Sequence, residues 1–129
     1  MTPELSAQQL FHEWERCSPW LGAALERDGT HNLDDVLAMV LADDAQFWPG
    51  ERSAVITEIL TLPKVRALHV WLAGGDMDEL IENMLPVIED FARRAGCDRF
   101  SVAGRHGWER VLKNKGFEPA WRVVAKELT

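Results

Sequence analysis

Tyrosine is absent from this chain of 129 residues, so no tyrosyl hydroxyl serves as an acid or a nucleophile in whatever chemistry it performs. Cysteine occurs twice, as Cys17 and Cys97, far apart and outside any C-x-x-C spacing. That spacing predicts two buried, reduced thiols without redox chemistry, with a single disulfide between them as the alternative. Neither thiol lies beside a histidine or a helix start in sequence, so thiol catalysis is not expected. The four histidines, His12, His31, His69 and His106, share no metal-ligand spacing, and no metal is expected. Long apolar runs are missing too. The opening MTPELSAQQL is neither basic nor continuously apolar, and no run of about 18 apolar residues occurs, which predicts a soluble cytoplasmic protein without signal peptide or membrane contact. No repeat, linker or low-complexity segment is present.

What the chain does have is hydrophobic mass, 47% of its residues including six tryptophans, enough for one core and hardly for two. A single domain over residues 1–129 follows. The net charge of −7 is unevenly spread. Residues 1–92 hold five Lys+Arg against 17 Asp+Glu, and residues 93–129 hold nine against four. Nucleic-acid binding is therefore not expected of the whole molecule, and any anion site belongs to the basic last third.

Apolar residues at helical spacing fill the first third. Ser6 with Gln9 forms a capping box for a helix from Ala7 to Cys17. Ser18 and Pro19 read as a fresh cap with proline at the first position, giving a second helix to Asp28, stopped by Gly29. Asn32 caps a third, ending near Ala42. The period then changes to two: Ala45 to Trp48, a turn at Pro49 and Gly50, and Ser53 to Leu60 form a hairpin. A reversal at Leu62, Pro63 and Lys64 leads into RALHVWLA, Arg66 to Ala73, apolar on both faces as a central strand is. After Gly74 and Gly75, Asp76 with Glu79 opens a long helix to about Ala95, in which Pro86 predicts a kink or a new start near Met84. A strand from Arg99 to Ala103, a short helix closed by Gly116, and a last strand from about Ala120 to Leu128 complete the chain. A crossover helix joins parallel strands, so the class is α+β (α/β) with a mixed sheet flanked by helices.

This order, with a long helix ending in ARRAGCDRFSV and a short one ending in KNKGF, resembles the C-terminal half of the GNAT acyltransferase superfamily over about residues 45 to 128, most closely from Phe91 to Phe117. GRHGWERVL followed by KGF and a terminal KEL also resembles short GNAT-like proteins of phage and prophage genomes. The resemblance implies acyl transfer from acetyl-CoA, whose pyrophosphate docks through R/Q-x-x-G-x-G/A on backbone amides at a helix start. In this chain the motif falls on Asp76, Met77, Asp78, Glu79, Leu80 and Ile81, where carboxylates gather instead of glycines. Gly74, Gly75 and Asp76 are the candidate cofactor loop. The tyrosine that supplies a proton to the departing thiolate in the family is here Leu112.

A base for the acceptor amine is sought in Glu58 and His69. If Leu60 pairs near Val65, the two become diagonal neighbours on one face. Arg105, His106 and Arg110, around a glycine-bordered helix start, are the candidate anion site. Trp20, Trp48, Trp108 and Trp121 lie at helix starts, a turn and an edge strand, so some should be exposed. Trp48 and Trp121 are the candidate anchors for a protein partner or a second copy. The functional expectation is a GNAT-fold protein that has lost catalysis and needs no cofactor. It would act as a binding or structural module, a phage accessory or virion component among its settings. The alternative is a divergent acetyl-CoA-dependent N-acetyltransferase.

Overall fold

The computed structural model describes residues 5–103, 106–120 and 123–128, apart from the side chain of His106. A single helix, α1 (Ala7–Asp28), replaces the two expected at the N-terminus. Proline inside a helix costs about 3 kcal/mol, but the stripe Trp14, Cys17, Leu21, Ala24 and Leu25 keeps helical phase across Pro19 and is buried throughout. Burying each leucine contributes roughly 1.5–3 kcal/mol, so the stripe outweighs the proline. The Ser18 hydroxyl, expected to cap a new helix, instead donates to the Trp14 carbonyl at 2.6 Å. Helix α2 (Leu33–Leu41) starts, as expected, in a capping box of Asn32 and Asp35.

Four strands follow, β1 (Gln46–Pro49), β2 (Ser53–Thr61), β3 (Arg66–Gly75) and β4 (Arg99–Val102). They form one mixed sheet in the order β1-β2-β3-β4, antiparallel except for the parallel pair β3–β4. Between β3 and β4 runs a helix in three pieces: α3 (Met77–Glu79), a π-helical turn (Leu80–Met84) and α4 (Leu85–Arg94). Pro86, lacking an N–H, sits in the first turn of α4, and the wide turn before it is the interruption expected there. A short helix α5 (His106–Leu112) and a 3-10 turn (Lys113–Lys115) end at Gly116 in the left-handed conformation, φ 89°.

The sheet separates two cores. Phe47, Ala54, Ile56 and Leu72 pack under α1 and α2, while Trp48, Val55, Leu68 and Val70 pack under the π-helical turn, α4 and α5. The expected last strand is not formed among the described residues. Residues 123–128 carry no ladder, and Val123, Val124 and Leu128 are 76%, 92% and 89% exposed. Strand-prone residues without a partner for their backbone stay outside the sheet.

Candidate functional site

Where β3 passes into α3, carboxylates close the end of the sheet. The Asp76 carboxylate caps α3 by accepting from the Glu79 amide at 2.9 Å. Glu79 is buried, and its Oε1 accepts from the Arg52 amide at 2.9 Å and from the Ser53 hydroxyl. The Arg52 guanidinium reaches Asp76 at 3.5 Å and Glu79 at 3.7 Å. Burial pushes the Glu79 carboxyl up, but the Ser53 hydroxyl, the Arg52 amide and the Arg52 charge together hold it below the ordinary range. Asp76 is also held low, chiefly by the Glu79 amide.

The glycines of this corner are used by close packing. A methyl on Gly74 would lie 2.5 Å from the Trp20 carbonyl of α1, and Gly75, at φ 106°, leaves no room against the Arg52 carbonyl. Gly50 in the β1–β2 turn admits the Glu79 carboxylate, which a methyl there would meet at 2.5 Å. Strand ends and helix start are thus clasped by the chain's own anions.

A notch opens halfway along β3. The ladder to β4 ends at Val70↔Val102, with a last bond from the Ala103 amide to the Val70 carbonyl, while β3 continues five residues to Gly75. At the same level the register with β2 slips: Thr57 pairs with Val70 but Ile56 with Leu72, leaving Trp71 as the extra residue of a bulge. The slip turns Leu72 to the α1 face although Val70 faces α4. Trp71, Leu72, Ala73, Ala103 and Trp108 border a cavity of about 250 Å³ here, rimmed by Arg27 and Asp28 from the end of α1. Trp108 and Leu112 are both buried against the α4 core.

Beside the notch a polar row crosses three strands. Glu58 lies directly opposite His69, and His69 directly opposite Ser101. Leu60 pairs with Ala67 rather than near Val65, because the Leu62 amide and the Val65 carbonyl close the turn themselves, so the pair is opposite instead of diagonal. His69 Nδ1 and Ser101 Oγ share a hydrogen bond of 2.8 Å. Burial lowers the His69 pKa. Burial raises that of Glu58, against the opposing pull of His31. His31, in the α1–α2 loop, stacks edge-on against Trp71 with centroids 4.8 Å apart. The sequence singled out neither Ser101 nor His31. Parallel pairing of β3 with β4 was the signal for Ser101; a loop histidine has none.

The other candidates are scattered. Arg110 is exposed on α5, His106 opens that helix, and Arg105 and Trp121 lie outside the described residues. Trp48 is not a surface anchor: it is 6% exposed, edge-on to Phe91, and its indole N–H donates to the Thr57 hydroxyl at 3.0 Å. Its strand position points it under α4, which a turn-based reading could not see. Trp14 and Trp108 are buried as well, and Trp20 and Trp71 are partly covered. Among the described residues no group of His, Cys, Asp and Glu is arranged for a metal, and no helix is long and apolar enough to cross a membrane.

At the level of sequence, no family model and no curated protein matches the chain. Solved structures do resemble it. A tetramutant of the BH1408 protein from Bacillus halodurans superimposes with a TM-score of 0.66 at 12% identity, covering 95% of this chain and 97% of that one. Wild-type TTHA1254 from Thermus thermophilus gives 0.62 at 14% identity and 91% of each chain. A Trypanosoma brucei acetyltransferase gives 0.56 at 12% identity, covering 75% and 78%. With neighbours of this kind and a mixed four-stranded sheet between helices, the chain has the α+β architecture of a GNAT-like fold.

Proposed function

We propose that this protein is a GNAT-fold module in which acyl transfer from coenzyme A has been given up and which works by binding rather than by catalysis. The supporting observation is the Asp76–Glu79 clasp. In this fold a pyrophosphate would need the free amides at the start of α3, yet the Glu79 amide is already bonded to the Asp76 carboxylate. The Arg52 guanidinium beside them is engaged by both carboxylates. Two carboxylates facing one guanidinium leave net negative charge where a phosphate would have to dock, and the two repel. The residues present do not fit coenzyme A.

Calorimetric titration with acetyl-CoA tests this reading. No saturable heat is expected, whereas a dissociation constant in the low micromolar range overturns it. An accessory role in a phage or its virion is one setting for such a module, and neighbouring capsid, portal or terminase genes would support it.

A divergent N-acyltransferase is the second reading, favoured by the Glu58–His69 row beside the notch. A histidine with a lowered pKa is neutral near pH 7 and can take a proton from an amine. Release of free thiol from acetyl-CoA in the presence of a panel of primary amines, abolished in His69→Gln, would favour this reading over the first.

A further inference from the structure

The cavity at the notch is furnished by residues that the Asp76–Glu79 clasp does not use. About 250 Å³ of space is bordered by Trp71, the extra residue of the bulge in β3, and by Trp108 of α5, over small apolar side chains of α1, β3 and the end of β4. Among the described residues the charged groups that line it are Arg27 and Asp28, adjacent at the end of α1. Both are exposed, so they stand at the mouth.

That mouth is tied to the aromatic wall. The Thr30 hydroxyl donates to an Asp28 carboxylate oxygen and shares a 2.7 Å hydrogen bond with His31 Nδ1. His31 in turn stacks on Trp71 with centroids 4.8 Å apart. Asp28, Thr30, His31 and Trp71 thus form one chain of contacts around the loop that Gly29 opens at φ 71°. The C-terminal end of α1 lies here as well, and the negative end of its dipole favours a cation.

A cation entering the cavity meets two indole rings, which attract positive charge through their quadrupoles. A primary ammonium would bring three N–H donors into a space whose one carboxylate already accepts from Thr30, and burying unmatched donors is costly. A fully methylated nitrogen has no N–H to satisfy, and its methyl groups pack against the indoles. Arg27 repels a simple cation but pairs with an anionic group carried on the same molecule.

We propose that the notch binds a small free betaine, a zwitterion whose quaternary ammonium lies between Trp71 and Trp108 beside Asp28 and whose carboxylate meets Arg27. A quaternary nitrogen cannot be acylated, so such a ligand suits a module that binds without catalysis, and the inference rests on that reading. The two fail separately, because a betaine carries neither thioester nor phosphate and is titrated without acetyl-CoA.

Calorimetric titration of the full chain with glycine betaine, followed in parallel by tryptophan fluorescence, tests it. Saturable binding is expected, at least about tenfold tighter than that of glycine, which keeps both charges and lacks the methyl groups. Trp71→Leu should weaken it about tenfold, and Asp28→Asn should weaken it in the same direction. Arg27→Gln should weaken glycine betaine and leave tetramethylammonium, which has no carboxylate, no weaker. Asp28 and Arg27 are exposed, so their variants carry the test even if Trp71→Leu does not fold. The inference is overturned by the absence of a saturable response to glycine betaine, by glycine binding equally well, or by an affinity that survives both Trp71→Leu and Asp28→Asn. A response to phosphatidylcholine vesicles without one to free glycine betaine also overturns it, by assigning the ammonium to a membrane surface.

Discussion

Glu79, in the helix that follows β3, and Glu58, on β2, are both carboxylates at least partly withdrawn from water, and they stand in opposite electrostatic states. Glu79 receives an amide, a hydroxyl and a guanidinium, and its pKa lies below the ordinary value. Glu58 has burial acting on it with only His31 opposing, and its pKa lies above. The first is held by the fold as an anion; the second is tolerated by it. The difference separates a structural carboxylate from a poised one, and it lies in the number of donors aimed at each, not in residue type.

Removing the held carboxylate should have the larger consequence. In Glu79→Ala the Arg52 amide and the Ser53 hydroxyl lose their acceptor in a buried corner, at a cost of about 2–3 kcal/mol. Glu79→Gln keeps an oxygen for Ser53 and should lose less. Urea unfolding of the three proteins measures this, and equal stability of Glu79→Ala and the parent would mean that the clasp contributes nothing.

The same contrast should appear in acid. Glu79 has a folded pKa below its unfolded value of 4.5, so its contribution is present above pH 4.5 and is lost as pH falls through the folded value. Glu58 has the reverse sign: its folded pKa is raised, so stability falls as pH rises from 4.5 to that value and stays reduced above it. Glu79→Gln should therefore flatten the loss of stability below pH 4.5. Glu58→Gln should raise stability near pH 7, because it removes a charge that burial disfavours. Denaturant midpoints across pH 3–7 give both slopes, and parallel curves for the two variants would erase the distinction.

Much of this architecture was readable in the residues. The change of period at Ala45, the glycine stops and the proline at 86 each acted locally, where sequence carries its information. What escaped depended on distant partners. Pro19 looked like a helix start because its local chemistry matches one, and only the buried stripe shared with the sheet carries the helix through it. Trp48 looked exposed because it precedes a turn, and α4 covers it. Asp76 was legible as a cap, but the buried clasp of Glu79 was not, since it needs Arg52 and Ser53 from a turn 26 or 27 residues earlier. The Glu58–His69 pair was visible through strand alternation, and its register was set by turn geometry that alternation does not specify.

His69 gives the smallest and most specific effect. Its folded pKa is lowered from 6.5 by burial, so folded and unfolded forms are both neutral well above that value and no stability is lost there. As pH falls through 6.5 the unfolded chain takes up a proton that the folded one refuses, and stability declines until the folded pKa is passed. His69→Gln removes this decline and leaves the acid loss due to Glu79, which begins below pH 4.5, in place. In nuclear magnetic resonance the His69 ring should titrate with a midpoint below 6.5. Ser101→Ala should move that midpoint less than any substitution that opens the site to water, since burial and not the serine is the cause. A midpoint at or above 6.5 would place His69 in solvent and detach it from Glu58 as a poised pair.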